Sequence, residues 1–138
     1  MINDFIVKMN NALEREYAAG IQYIQHAAVL NGVYTAYAPE ILVHADEEFG
    51  HAKKLSDHIN YLGGIPAALS APSFSASDNA RMLQQDLTGE NEAIAIYKEL
   101  IAMARAANDY GSELILMEIL TDEQDHANFL ETILQVVK

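Results

Sequence analysis

The sequence predicts an all-α fold: four long helices packed as two helical hairpins, with a long crossover between them. Three observations predict it. Glycine and proline are concentrated at Gly63-Gly64-Ile65-Pro66 and, more sparsely, at Asn31-Gly32 with Pro39 and Asn108 with Gly111, which leaves four long segments. Apolar residues within those segments recur at helical spacing rather than alternating. The connections run short, long, short, and only a long one lets a chain travel the length of a bundle.

The first helix is expected over about 3–30, because Phe5, Met9, Leu13, Gly20, Tyr23, Ala27 and Leu30 form one stripe. The second begins between 35 and 39, where Pro39 is tolerated in a first turn, and stops at Gly63-Gly64. Residues 65–77 are polar and small and form the crossover. Ser77 or Asp78 can cap a third helix over about 78–107. Asn108 suits its C-terminal cap, and Asp109 can start a fourth helix that runs to the chain end. At 138 residues the chain is read as one domain, 1–138, able to bury a core without disulfides.

Composition excludes several classes of function. The formal net charge is -12 and no basic cluster exceeds Lys53-Lys54, so a nucleic-acid backbone would be repelled. No apolar run reaches the roughly 20 residues of a membrane span. There is no cysteine, hence no thiolate ligand or nucleophile. The N-terminal residues do not resemble a signal peptide, and the cytoplasm is the expected compartment.

The two halves repeat one pattern. Glu16 is followed seven residues later by Tyr23, and 32 residues after Glu16 comes Glu48 with His51 three further on. Glu90 is followed seven later by Tyr97, and 33 residues after Glu90 comes Glu123 with His126 three further on. Residues three apart share a helix face, so Glu48 with His51, and Glu123 with His126, each offer a carboxylate and an imidazole to one point. Glu16 and Glu90 fall within apolar stripes, where an unpaired carboxylate is costly to bury. Two divalent cations would relieve the repulsion among four inward carboxylates. One Glu from each of two helices and Glu-x-x-His from each of the other two is the ligand set of bundle di-iron sites. Oxygen and nitrogen donors suit iron or manganese and tolerate zinc or cobalt; iron is preferred because four carboxylates stabilise the ferric state.

With these residues in view, the chain resembles the bacterioferritins within the ferritin-like superfamily, so the fold expected is a ferritin-like four-helix bundle. The resemblance is carried by Glu16-Tyr17, Gln22-Tyr23, His26-Ala27, Glu47-Glu48, His51-Ala52, Leu62-Gly63-Gly64, Asp86-Leu87, Glu90, Asp122-Glu123 and His126. It implies terminal carboxylates at Glu16 and Glu90, bridging carboxylates at Glu48 and Glu123, and histidine ligands at His51 and His126. It further implies two iron ions per chain, oxidation of Fe(II) by oxygen or peroxide, and mineral storage in a shell. The family's haem-ligand methionine position is Phe49 here, so no haem is expected. Only 12 residues follow His126, so a fifth helix, and the 24-subunit shell it helps to build, are not expected either. A homodimer at least is expected, through a face carrying Tyr34, Tyr37, Phe49 and Tyr61; whether a cage closes stays open.

His44 is read as a neighbour that supports the ligands, His58 as a satisfied polar residue, and Tyr23 and Tyr97 as core phenols with a hydrogen bond. His26, Met9, Met82, Met103 and Met117 are read as ordinary helix positions. Two other functions share this pattern: a di-metal oxidoreductase that stores no iron, and, least favoured for lack of a basic tail, a DNA-protecting shell.

Overall fold

The computed structural model describes residues 2–136. Among them the chain forms four helices, α1 (Ile2–Val29), α2 (Ala38–Tyr61), α3 (Asn79–Ala106) and α4 (Tyr110–Val136), with a 3-10 helix, Gly32–Tyr37, before α2. Helices α2 and α3 both end as the sequence predicts. Gly63 has φ 91 and Gly64 N–H donates to Ile59 O at 2.9 Å, while Asn108 has φ 54 and Asp109 N–H donates to Ala104 O at 2.9 Å. Each is a left-handed cap that satisfies the last carbonyls of its helix. Asp78 caps α3 by accepting from Arg81 N–H at 2.9 Å, and Pro39 sits in the first turn of α2.

α1 packs on α2 and α3 on α4, and the two hairpins meet across α1 with α3 and α2 with α4. The apolar stripes close into two separate clusters. One holds Phe5, Met9, Leu13, Leu55, Ile59, Leu100, Leu116 and Ile119; the other holds Leu30, Ile41, Met82, Leu83, Leu130 and Ile133. Each of these side chains is at most 6% exposed, and full burial of such a side chain contributes about 1.5–3 kcal/mol. Glu16, Glu48, Glu90 and Glu123 lie on the four helices at the level between the clusters, so a polar layer divides the core.

The crossover, residues 62–78, is laid along α1 and fastened to it. Asn10 binds Ile65 O and Ala67 N–H, Glu14 O accepts from Ala71 N–H at 2.9 Å, and Ala18 O accepts from Ser73 Oγ at 2.8 Å. Phe74 is held by both its backbone groups, its N–H donating to Gln22 Oε1 at 2.8 Å and its carbonyl accepting from His26 Nε2 at 2.9 Å. Two ion pairs between exposed side chains, Lys8 with Glu99 and Arg15 with Glu92, link α1 to α3; such pairs add at most about 1 kcal/mol each.

Of the four aromatics expected on an outward face, only Tyr61 is fully exposed, at 80%. Tyr34 and Tyr37 are half-buried against the second apolar cluster. The Phe49 ring lies across Gly20, where an added Cβ would come within 2.7 Å of Phe49 Cζ. The absence of a side chain at Gly20 is what lets the ring settle there.

Candidate metal centre

All six residues singled out in the sequence converge in the polar layer, and each is at most 2% exposed. α2 presents Glu48 and His51 from adjacent turns of its buried face, and α4 presents Glu123 and His126 in the same way. His51 Nδ1 lies 3.3 Å from Glu16, 3.4 Å from Glu48 and 3.4 Å from Glu123. His126 Nδ1 lies 3.2 Å from Glu48, 3.2 Å from Glu90 and 3.4 Å from Glu123. Two sets of four candidate ligands result, Glu16-Glu48-His51-Glu123 and Glu48-Glu90-Glu123-His126. Glu48 and Glu123 are common to both, while Glu16 and Glu90 each belong to one.

The surroundings follow the same two-fold pattern. Tyr97 donates its hydroxyl to Glu16 Oε1 at 2.5 Å, and Tyr23 donates to Glu90 Oε1 at 2.5 Å, so each half's tyrosine orients the other half's glutamate. His51 Nε2 lies 2.7 Å from Asp122 Oδ2, and His126 Nε2 lies 3.4 Å from Glu47 Oε1. The acidic residue preceding each shared glutamate thus faces the far nitrogen of the other half's histidine. At 2.7 Å the Asp122 carboxylate fixes the His51 tautomer and turns its near nitrogen inward, whereas His126 Nε2 has no hydrogen-bond partner. The phenols behave as expected: burial and the adjacent Glu90 raise Tyr23, and burial and the adjacent Glu16 raise Tyr97, so both stay protonated donors.

Packing four carboxylates together without cations is paid for by protons. Burial, with Glu123 beside each, raises Glu16 to about 7 and Glu90 to about 8. Burial and the charges of Glu16, Glu90 and Glu123 raise Glu48 well above the carboxylate range. Burial raises Glu123 too, but the close approach of His126, His51 and Glu48 outweighs it and holds this carboxyl well below its ordinary value. Burial opposes charging of the histidines, yet the surrounding glutamate carboxylates overcome it and hold both far above the imidazole range. Buried oxygens of Glu48, Glu90 and Glu123 still find no hydrogen-bond partner. Unsatisfied acceptors amid four carboxylates and two imidazoles fit a pair of divalent cations.

A cleft of about 550 Å³ leads to this layer between α1, α3 and the crossover, bordered by Arg15, Ala19, Gln22, Gly89 and Ala93 and reaching Glu16 and Glu90. On the opposite side, His44 stacks on His126 with ring centroids 4.1 Å apart. Burial, with His126 alongside, lowers His44 to about 4, so that ring is neutral. His58 Nε2 meets Ser112 Oγ at 2.6 Å near the end of α2, a satisfied polar residue as expected.

His26 is not an ordinary helix position. It is fully buried, 2.9 Å from Asp86 Oδ1, and Asp86 also accepts from Gln22 Nε2 at 2.8 Å. The backbone oxygen of Phe74 accepts from His26 Nε2, and Nδ1 faces Asp86. The available signal was Asp86 itself, one helical turn before Glu90 on a buried stripe, where an acid needs a partner.

A family model of the ferritin-like domain matches residues 6–138. The chain belongs to the ferritin-like family. This ferritin-like chain is 35% identical to the bacterioferritin of Brucella melitensis over 96% of its own length and 83% of that protein's. It is 30% identical to the bacterioferritin of Mycobacterium leprae, covering 94% and 82%. Among solved structures, a ferritin-like diiron-carboxylate protein from Bacillus anthracis superposes with a TM-score of 0.93 at 29% identity, covering 96% of both chains. The bacterioferritin of Rhodobacter capsulatus, a structure with a metal-free dinuclear site and a haem iron, superposes with a TM-score of 0.87 at 28% identity, covering 97% of this chain and 85% of that one. Among the described residues, no helix is long and apolar enough to cross a membrane.

Proposed function

We propose that this ferritin-like chain is a di-iron ferroxidase that oxidises Fe(II) to Fe(III) for iron storage or detoxification. The observation that carries the reading is the pair of four-residue sets sharing Glu48 and Glu123. Glu16 and His51 would complete one ion's ligands, and Glu90 and His126 the other's, with Glu48 and Glu123 bridging. A ferrous pair held there would supply two electrons, reducing oxygen to hydrogen peroxide or hydrogen peroxide to water with two protons, and become ferric. Tyr23 and Tyr97 keep the terminal glutamates turned inward, and Asp122 holds the His51 ring by its far nitrogen. Fe(II) and oxidant reach the layer through the α1/α3 cleft, whose mouth the fastened crossover keeps in shape. Manganese or zinc would suit the same donors without the same electron transfer.

We further propose a single domain in the cytoplasm, assembled at least as a homodimer and without haem, since the half-buried Phe49 ring offers no lone pair. The test is aerobic ferrous loading followed by particle mass and iron content. Rapid oxidation with accumulation of many ions per chain is expected. Rapid oxidation that stops at two ions per chain means a di-metal oxidoreductase without storage. Glu123→Ala removes a proposed bridge to both ions and should slow the fast phase by more than about 100-fold; an undiminished rate would defeat the assignment.

A further inference from the structure

The α1/α3 cleft is far larger than a ferrous ion or an oxygen molecule needs. Its volume is about 550 Å³, within the range of about 300–1,000 Å³ typical of sites for organic ligands, whereas one water molecule takes up about 30 Å³ of liquid. Small residues keep it open: Ala12, Ala18 and Ala19 on α1, and Gly89 and Ala93 on α3. Gly89 is the clearest case. It lies in the interior of α3, where glycine is less favourable than alanine. At Gly20 the Phe49 ring occupies the space a Cβ would need, but a Cβ on Gly89 would meet nothing within 4 Å. Packing within the chain therefore gives no reason for glycine here, and what the missing side chain leaves is room in the cleft.

The polar groups along the cleft are unequally matched. Arg15 borders it where one terminal nitrogen pairs with Glu92, while the buried Nε has no hydrogen-bond partner. A buried N–H without an acceptor is costly unless a ligand supplies one. Arg81, about 16 Å along α3 from Glu92, is exposed and makes no ion pair among the described residues. The acids of the lining are already answered: Glu92 by Arg15, Asp86 by His26 and Gln22, and the four glutamates by the cations or protons of their layer. The cleft thus keeps one unanswered positive charge, although the chain as a whole carries -12.

We propose that the α1/α3 cleft binds a medium-chain monocarboxylic acid, with its carboxylate on Arg15 Nε and its apolar chain along Ala19, Gly89 and Ala93. A guanidinium presents its nitrogens as a fork that suits a carboxylate. An unbranched apolar chain suits walls of alanine, glycine and Ile96. One negative charge answers the positive charge left over, and a second would face the acids of the layer. The site stands on the cleft alone, whichever metal fills the layer.

The test is calorimetric titration of the metal-free protein with octanoate, with octanol as the uncharged comparison. One octanoate per chain is expected, bound at least roughly tenfold more tightly than the alcohol. Gly89→Leu places a side chain in the open space and should abolish binding while helicity and melting temperature hold or rise. Arg15→Met keeps the length of the side chain, removes the guanidinium, and should weaken octanoate by roughly tenfold or more with the alcohol unchanged. No uptake by wild type at millimolar octanoate would overturn the site. Equal affinity for acid and alcohol would overturn the class of ligand. Undiminished octanoate binding in both folded variants would overturn the location.

Discussion

Loading the centre with two divalent ions will expel protons, and their number follows from the charges described. Fully ionised, the four glutamates carry four negative charges with both imidazoles neutral, which two divalent ions balance. Without metal that balance is kept by protons: on both histidines, on Glu48, mostly on Glu90 raised to about 8, and partly on Glu16 raised to about 7. Binding at pH 7 should therefore release about four protons per chain, because ligands must be deprotonated to coordinate. As pH rises through 7 to 8 Glu16 and Glu90 lose theirs beforehand, and release falls toward the protons held by Glu48 and the two imidazoles. Apparent affinity should climb steeply over the same interval, by roughly tenfold per pH unit for each proton displaced. The assay is anaerobic Zn(II) addition to weakly buffered protein with an indicator dye. Glu90→Gln should remove about one proton from the count. Release of one proton or fewer per chain by wild type would refute the charge balance and with it the arrangement of the six side chains.

Metal-free protein should lose stability with rising pH. Glu16 and Glu90 are raised from 4.5 to about 7 and 8 on folding, so their contribution is complete below 4.5 and lost as pH passes through 7 to 8. A melting temperature lower at pH 8 than at pH 5 by about 5 °C or more, restored by Zn(II), is expected; a rise would contradict it. Asp86→Ala leaves Nδ1 of buried His26 without a partner and should cost about 1–3 kcal/mol in denaturant melts, with protease cleavage appearing near Phe74; unchanged resistance would show that the crossover is held without them. Protein expressed with ample haem should show no Soret band, and a strong band would show that Phe49 does not bar the ligand.

The six candidate ligands were legible because helical periodicity ties a residue to those three, four and seven positions away. Glu48 with His51, and Glu123 with His126, could be placed on one face without knowing any tertiary contact, and Gly63 and Asn108 announced the helix ends. What escaped was set by contacts between distant parts of the chain. His26 and Asp86 are 60 residues apart, and no local spacing joins them. Phe49 reads as a surface aromatic until Gly20 is found beneath it. His44 lies near Glu48 in sequence, but its stack on His126 comes from the packing of α2 against α4. Periodicity reports which way a side chain points; it does not report what the opposite helix places there.

The fastening of the crossover sets how far its length can vary. Its attachments fall at Asn10, Glu14, Ala18, Gln22 and His26, one for nearly every turn of α1. The sixteen helical steps from Asn10 to His26 span about 24 Å, whereas the nine steps from Ile65 to Phe74 reach about 31 Å when fully extended. A deletion of two or three residues would use up that slack and tear Phe74 from Gln22 and His26. An insertion fares differently: between Ala67 and Ala71 no group of the crossover is tied to α1 among the described residues, so added chain can bulge outward with every attachment kept. Residues 68–70 are thus the place to graft a tag or a loop, and shortening the segment anywhere would unroof the cleft.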